Sequence, residues 1–444
     1  MNPAKLHTSL AAAVSAKSLP TDEALPIIVR TRPGPLARGE ITAMAQLPLG
    51  HQFELLSARA LYATAAMIAQ LTHDPTVDLI WPDLPVHTWL DDAVPLVRIP
   101  RVWQSGFTGR GVKVAILDTG LDAGHPDLAG RVAAYKDFVD PNGGTAPTDP
   151  NGHGTHVAGI VAGSGSVSEG RYRGVAPEAA LIIARVLDGT GNGRTSTVMA
   201  GLEWAVQQGA QVINISLGGP PFPSDGTDAL SALCNAAVDR GIVVCVAAGN
   251  MGPDGHTIGS PSAAERAITI GACDGNPASP LDRIASFSSR GPTADGRAKP
   301  DVVFPGVGII APRADGTGLG DAIDAHYTSV SGTSQATPIA TGSVALLLEA
   351  NPRLSPADVK LRLTRAAHAL PGFDAAAQGT GRGDAYNAFV GAEGAPLGQA
   401  QPPAPAPPAP PPAGGGATPG GGATPGGDGR SGCLAAVATA FLAH

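Results

Sequence analysis

This sequence is short of charge, of cysteine and of long apolar runs, and each shortage excludes something. Charged residues are 15% of the 444. The 29 Lys and Arg against 37 Asp and Glu leave a net charge of −8 with no basic stripe, so nucleic acid is not an expected partner. Four Cys in so long a chain make neither a disulfide framework nor a paired zinc site, and they leave the redox compartment open. No apolar run reaches the roughly 18 residues that would span a bilayer, so no transmembrane helix is expected. The early run Leu10 to Val14 is too short for the apolar region of a signal peptide. What is abundant is different. Hydrophobic residues at 43% supply enough apolar surface to offset chain entropy, which excludes disorder throughout. The 59 Gly and 42 Pro exclude helical bundles and coiled coils.

Apolar patterning divides the chain. From Pro26 to about Asp83 the pattern predicts a small α+β module, with extended runs at Ile27 to Val29 and Phe53 to Leu56. A helix from Ser57 to Thr72, striped by Leu61, Ala65, Ile68 and Leu71, leads to a strand at Val77 to Trp81. From about Asp92 to Phe389, apolar runs at Val112 to Leu117, Leu181 to Leu187, Val212 to Ile215, Ile242 to Ala247 and Ala267 to Ala272 alternate with amphipathic helices. One helix is lined by Val198, Leu202, Ala205 and Val206 and the next by Leu230, Leu233, Ala237 and Val238. That alternation predicts a mostly parallel sheet with helices on both faces, whose active site sits at the carboxyl ends of the strands. Beyond it, Pro402 to Pro412 is proline-rich, and two Gly-Gly-Gly-Ala-Thr-Pro copies end at Pro419 and Pro425. This reads as a linker. The expected segments are a flexible 1–25, a module at 26–90, an α/β domain at 91–392, the linker at 393–432 and an apolar tail at 433–444.

Three polar clusters interrupt the apolar framework where strands or helices begin or end. Asp118-Thr119-Gly120 follows the first strand of the α/β domain. Asn151-Gly152-His153-Gly154-Thr155-His156 leads into the helix Val157 to Ala162. Ser331-Gly332-Thr333-Ser334-Gln335-Ala336-Thr337-Pro338 leads into another helix. An unassisted Ser hydroxyl is a poor nucleophile; it needs an imidazole to take its proton and a buried carboxylate to orient that imidazole. Asp118, His153 and Ser334 can supply these roles. Glycines beside them allow close approach of backbone and substrate, and Ser334 at a helix start gains an N–H aimed at developing negative charge. Asn250, closing Ala248-Gly249-Asn250 after a strand, can donate a second hydrogen bond to an oxyanion.

In this order the clusters resemble the subtilisin-like serine proteases, the subtilases. Val114 to Gly120, His125-Pro126-Asp127-Leu128, the His153 cluster, Ser216-Leu217-Gly218, Ala247 to Asn250, Phe287-Ser288-Ser289-Arg290-Gly291-Pro292 and the Ser334 cluster all carry the resemblance, over nearly all of 92–390. It implies a serine endopeptidase acting on protein or peptide substrates, with Asp118 as orienting acid, His153 as general base, Ser334 as nucleophile and Asn250 as oxyanion donor. Ser216, Leu217, Gly218, Ala248 and Gly249 would flank the pocket for the residue before the scissile bond. Gly259 at its base would leave room for a large apolar side chain. The module at 26–90 resembles the family's ferredoxin-like propeptide, a chaperone and inhibitor removed by self-cleavage, here between about Thr88 and Asp92. The resemblance further implies a monomer acting outside the cell or at its surface, with cytoplasmic action as the alternative. No cofactor is required for the chemistry.

A structural calcium is common in the family, and Asp127 matches one ligand position. The loop that should complete that site is a short Gly- and Ser-rich stretch, Ser164 to Gly170, while the ion requires about six to eight oxygens. Gln335 stands where most members carry Met, and Phe304 where Ala is usual.

Other readings of the same residues are weaker. A single Asp-Thr-Gly in an α/β pattern does not make an aspartic protease, which needs two. His153 and His156 lack a third metal ligand, and His156 reads as a structural histidine. The order Asp, His, Ser is not that of a nucleophile elbow. Cys234, Cys245 and Cys273 read as core residues. Cys433 before Leu434 to Ala443 is an incomplete sorting or lipid-attachment signal. The rival function is a non-catalytic or propeptide-inhibited scaffold serving as a surface binding module.

Overall fold

The structure is a computed structural model that describes residues 2–7, 10, 25–32, 49–53, 55–82, 85–88, 96–140, 144–219, 224–274 and 283–392. The linker and the Cys433 tail lie outside the described residues.

Strands β1 (Leu25–Thr31), β2 (Leu49–Phe53), β3 (Ala58–Ala63) and β4 (Val77–Pro82) form an antiparallel sheet in the order β2-β3-β1-β4. Alternation along each strand gives the sheet two buried faces. Ile27, Val29, Leu61 and Ile80 pack with Ile68 and Leu71 of the helix Ala65–Leu71. Ile28, Ala58, Ala60 and Trp81 join Val198 and Leu202 in the core of the larger sheet. The continuous apolar run Ile27 to Val29 follows from burial on both sides.

The helix expected over 57–72 is half strand. Leu61 and Ile68 line the same core, so their helical spacing misled: β3 pairs residue for residue with β1 from Ala58↔Arg30 to Ala63↔Leu25. The helix begins only after Thr64, whose hydroxyl accepts the Met67 N–H at 3.4 Å. The opening residues, expected to be flexible, are partly packed. Leu6 bridges Ile80, and Leu6 and Leu10 are buried in the small module's core.

After β5 (Pro85–Thr88), strands β6 (Lys113–Asp118), β7 (Val132–Asp137), β8 (Ala180–Arg185), β10 (Val212–Ile215), β12 (Val243–Ala247), β13 (Ile268–Cys273) and β14 (Val302–Pro305) build a seven-stranded parallel sheet in the order β14-β13-β12-β10-β6-β8-β7. The two short strands β9 (Asn192–Arg194) and β11 (Leu217–Gly218) pair instead with β5. Their three-stranded sheet has the order β11-β5-β9. Fully buried strands such as Val212–Ile215 and Val243–Ala247 are the expected consequence of helices on both faces. The edges β7 and β14 escaped the reading because β7 mixes Lys136 and Tyr135 among alanines and β14 is a short run ended by Pro305.

Strand order reverses around β6, so its carboxyl end, Asp118, lies at a switch point where α/β sheets hold ligands. The long helix Thr333–Ala350 is buried from Thr333 to Leu348 and packs beside the His153–Ala162 helix. Phe304 also acquires a reason. Its ring lies where a Cβ on Gly383 would collide, so the large side chain is accommodated by a missing one. Among the described residues no helix is long and apolar enough to cross a membrane.

Candidate active site

Asp118 is the last residue of β6 and His153 the first of the helix His153–Ala162; both are fully buried. The His153 Nδ1 lies 2.7 Å from Asp118 Oδ1, which also accepts the Thr119 N–H at 2.7 Å. Among the described residues Asp118 Oδ2 has no hydrogen-bond partner. The imidazole and the Thr119 N–H thus share one carboxylate oxygen, an arrangement that orients the ring. Gly152 makes the junction possible: at φ 100° it caps the helix in the left-handed region, which suits a residue without Cβ.

Ser334 stands in the first turn of Thr333–Ala350, and a feature four residues on shapes its surroundings. Pro338 has no N–H to give to the Ser334 carbonyl. That carbonyl instead accepts the Ser216 hydroxyl at 2.8 Å, while the Ser334 hydroxyl donates to the Ser216 carbonyl at 3.0 Å. Behind Ser216, Asn214 Nδ2 donates to its oxygen at 2.9 Å, and Thr341 donates to Asn214 Oδ1 at 2.9 Å. Two bonds thus join the turn that bears Ser334 to Ser216, the residue after β10.

Asn250 approaches from a third direction. Its Oδ1 accepts both the N–H and the hydroxyl of Thr333 at 3.0 Å, and the Thr333 hydroxyl accepts the Gly249 N–H at 3.1 Å. With the carbonyl end so engaged, the amide NH2 is the end left to donate.

The first turns of the two helices meet where Gln335 Nε2 lies 3.5 Å from His156 Nδ1, and His156 Nε2 lies 3.3 Å from the Thr328 carbonyl. Burial, reinforced by repulsion from His153, pushes the His156 pKa down to about 3, so it is neutral at working pH. His156 is structural, and its contact with Gln335 ties the residue beside Ser334 to the turn beginning at His153.

The segments assigned to substrate adjoin, the Gly219 N–H donating to the Ser260 carbonyl at 2.9 Å. Ser216 ends the buried run of β10, and Leu217 and Gly218 present an edge on which Thr88 faces Leu217 and His87 faces Gly218. On its other side β5 pairs with β9, Val86 facing Gly193. The 85–88 segment thus runs between two strands as an extended peptide would. Ala248 is buried with Ile258 and Ala263, and the Gly259 carbonyl accepts the Ala263 N–H at 3.0 Å. The Ala248 and Gly259 segments therefore adjoin. Thr333 and Asn214 escaped the sequence reading because their contacts with Asn250 and Thr341 reach 83 and 127 residues along the chain; Asp149 escaped it although most of its partners lie within six residues.

These features make one arrangement: a carboxylate–imidazole pair, a hydroxyl at a helix start, a nearby amide donor and an extended segment paired between two short strands. The Subtilase family model matches residues 109–387. The chain belongs to the subtilase family. It is 40% identical over 345 residues to serine protease AprX of Bacillus subtilis (strain 168), covering 74% of this chain and 77% of that one. To subtilisin DY of Bacillus licheniformis it is 40% identical over 276 residues, 62% of this chain and 90% of that protein. In structure it is similar to fervidolysin from Fervidobacterium pennivorans, described as a keratinolytic enzyme related to subtilisin. The TM-score is 0.67 at 22% identity, over 84% of this chain and 62% of that one; this likeness concerns the fold. The subtilase is a serine-type endopeptidase, and its peptide-bond hydrolysis needs no cofactor.

The residues around Asp127 do not fit the calcium ion common in subtilases. Asp127 is fully buried, and hydrogen-bond donors surround its carboxylate. Oδ1 accepts from Ser166 Oγ at 2.9 Å, the Val167 N–H at 3.2 Å and Ser164 Oγ at 3.3 Å, and Oδ2 accepts the Tyr327 hydroxyl at 2.6 Å. Those protons occupy the lone pairs a cation would need. Among the described residues there is no group of three His, Cys, Asp or Glu side chains that could hold a metal.

Proposed function

We propose that Asp118, His153 and Ser334 act as the triad of this endopeptidase and that Asn250 with the Ser334 N–H forms the oxyanion site. The observation that carries the reading is the buried 2.7 Å contact of Asp118 and His153, set beside the first turn that bears Ser334. His153 takes the Ser334 proton as the hydroxyl attacks a peptide carbonyl, and the donors stabilise the tetrahedral oxyanion. His153 then protonates the leaving amine, and water hydrolyses the acyl-enzyme. Ser216, Leu217 and Gly218 hold the substrate backbone as an added strand, with Ala248, Gly249 and Gly259 around the side chain that precedes the scissile bond.

The chain is made as a self-processing zymogen, with 26–90 as inhibitor, and is cut between about Thr88 and Asp92. The pairing of β5 with β11 and β9 supports this, because it lays the module's exit segment along the groove in the manner of a substrate. Extracellular or cell-surface action as a monomer completes the proposal. A gel of purified chain tests it. Wild type loses about 90 N-terminal residues while Ser334→Ala stays full length; two intact full-length bands would instead favour the inhibited, non-catalytic scaffold.

A further inference from the structure

Asp149 lies four residues before His153 in sequence, nearly inaccessible at 7% exposure. Its Oδ1 accepts the Thr119 hydroxyl at 2.8 Å, the Gly152 N–H at 2.8 Å and the Asn151 N–H at 3.2 Å. Its Oδ2 accepts the N–H and the hydroxyl of Thr155 at 2.8 and 2.7 Å. Two of its partners, Gly152 and Thr155, bracket His153 at the start of its helix. A further partner, Thr119, is the residue next to Asp118. The bracket closes on itself, because Thr119 Oγ1 accepts the Gly154 N–H at 2.9 Å.

Gly152 has no side chain with which to cap the helix. Asp149 reaches past it to the first-turn N–H groups that a capping side chain would otherwise satisfy. The backbones it ties together touch: a Cβ on Gly154 would collide with the Gly120 carbonyl, and one on Gly120 with the Thr148 carbonyl. The strand that carries Asp118 and the helix that carries His153 are thus joined through this carboxylate and the Thr119 hydroxyl.

We propose that Asp149 is a positioning residue for catalysis, setting His153 against Asp118 at the distance and angle that orient the imidazole toward Ser334. The inference rests on the triad reading above. Asp149 touches neither substrate nor the reacting atoms. Its effect is exerted through the Asp118–His153 pair, and small misplacements of catalytic groups cost large factors in rate.

Asp149→Asn keeps the shape and removes an acceptor, turning an NH2 toward the N–H groups of 152 or 155. The expected result, measured per titrated active site on the processed enzyme, is a kcat lower by about 10²-fold with KM nearly unchanged. Thr119→Val should reproduce that signature, and Thr119→Ser, which restores the hydroxyl, should recover most of the rate. Repeating Asp149→Asn in an Asp118→Asn background gives the decisive comparison. A residue acting only through the pair costs little more there, whereas a general stabiliser costs the same in both backgrounds. An unchanged kcat per active site, or equal costs in both backgrounds, overturns the proposal. Should Asp149→Asn fail to fold, the Thr119→Val and Thr119→Ser pair decides alone, through the self-processing rate of the full chain. Wild-type activity in Asp118→Asn itself would instead overturn the triad reading.

Discussion

At the scale of residues, the site is made of side chains whose alternative partners have been removed or occupied. Asn250 is a clear case, since Thr333 takes both contacts of its carbonyl end at 3.0 Å and leaves the amide end for the oxyanion role proposed above. Asn250→Ala is expected to lower kcat by about 10²–10³ with little change in KM, a magnitude taken from subtilisin itself rather than derived from this geometry. Steady-state kinetics on a chromogenic peptide checks it, and near-normal turnover would remove Asn250 from the mechanism. Gln335 yields a second expectation. It is fully buried beside Ser334 and carries no thioether, so activity should survive dilute peroxide that inactivates Gln335→Met through sulfoxide formation. Loss of wild-type activity in step with oxidation near Ser334 would refute that. The pH profile belongs here too. His156, whose pKa burial lowers to about 3, stays neutral over the working range and adds no step to a profile taken across about pH 5–8.

At the scale of elements, hydroxyls stand where an ion is common in the family. Burial alone would raise the Asp127 pKa, but the bonds from Tyr327, Val167 and Ser166, with the nearby His125, outweigh it and hold it below its ordinary 3.8. Burial and then the bond to Asp127 push the Tyr327 hydroxyl upward, so it remains a donor at neutral pH. A carboxylate depressed on folding contributes stability above its unfolded value and loses it as pH falls through the folded value. Thermal unfolding should therefore be insensitive to chelators. Tyr327→Phe should lose about 1.5–3 kcal/mol, the usual worth of a hydrogen bond to a charged group. The deficit should shrink in acid below the Asp127 pKa. A chelator-induced fall in melting temperature would restore calcium to the account. Gly383 and Phe304 form a second matched pair. Gly383→Ala should cost about 1–3 kcal/mol by overpacking, and Phe304→Leu should relieve part of that cost in the double variant, as denaturant titration would show.

At the scale of the whole molecule, the small sheet is seated on the large one by contacts beyond the groove. Glu203 accepts the Leu55 N–H at 2.7 Å, and the Trp81 indole donates to the Thr227 carbonyl at 2.8 Å. Trp81 is also packed into the core of the larger sheet. Glu203→Ala should leave the Leu55 N–H without this partner and weaken the inhibition proposed above for the module. The measurement is the concentration of separately added 1–90 fragment, which keeps the buried Leu6 and Leu10, needed to inhibit the mature enzyme; it should rise by about tenfold.

Much of this was legible in the linear chain. Asp118, His153, Ser334 and Asn250 sit at strand ends and helix starts, places where local physics demands Gly and polar residues, so short motifs announced them. The buried strands announced themselves by continuous apolar runs. Local spacing failed where a distant partner decided the outcome. Leu61 continues the helical spacing of Ala65, Ile68 and Leu71, yet residues 58–63 became a strand because β1 offered them a hydrogen-bonded edge, and Asp127 matched a calcium ligand until Tyr327, 200 residues away, reached its second oxygen. The sequence by itself determined the chemistry and the order of the layers, because backbone propensity and apolar period act over a few residues. Only the tertiary structure decided which hydroxyls meet which carboxylates, since a hydrogen bond depends on ångström distances between segments that the chain order leaves free.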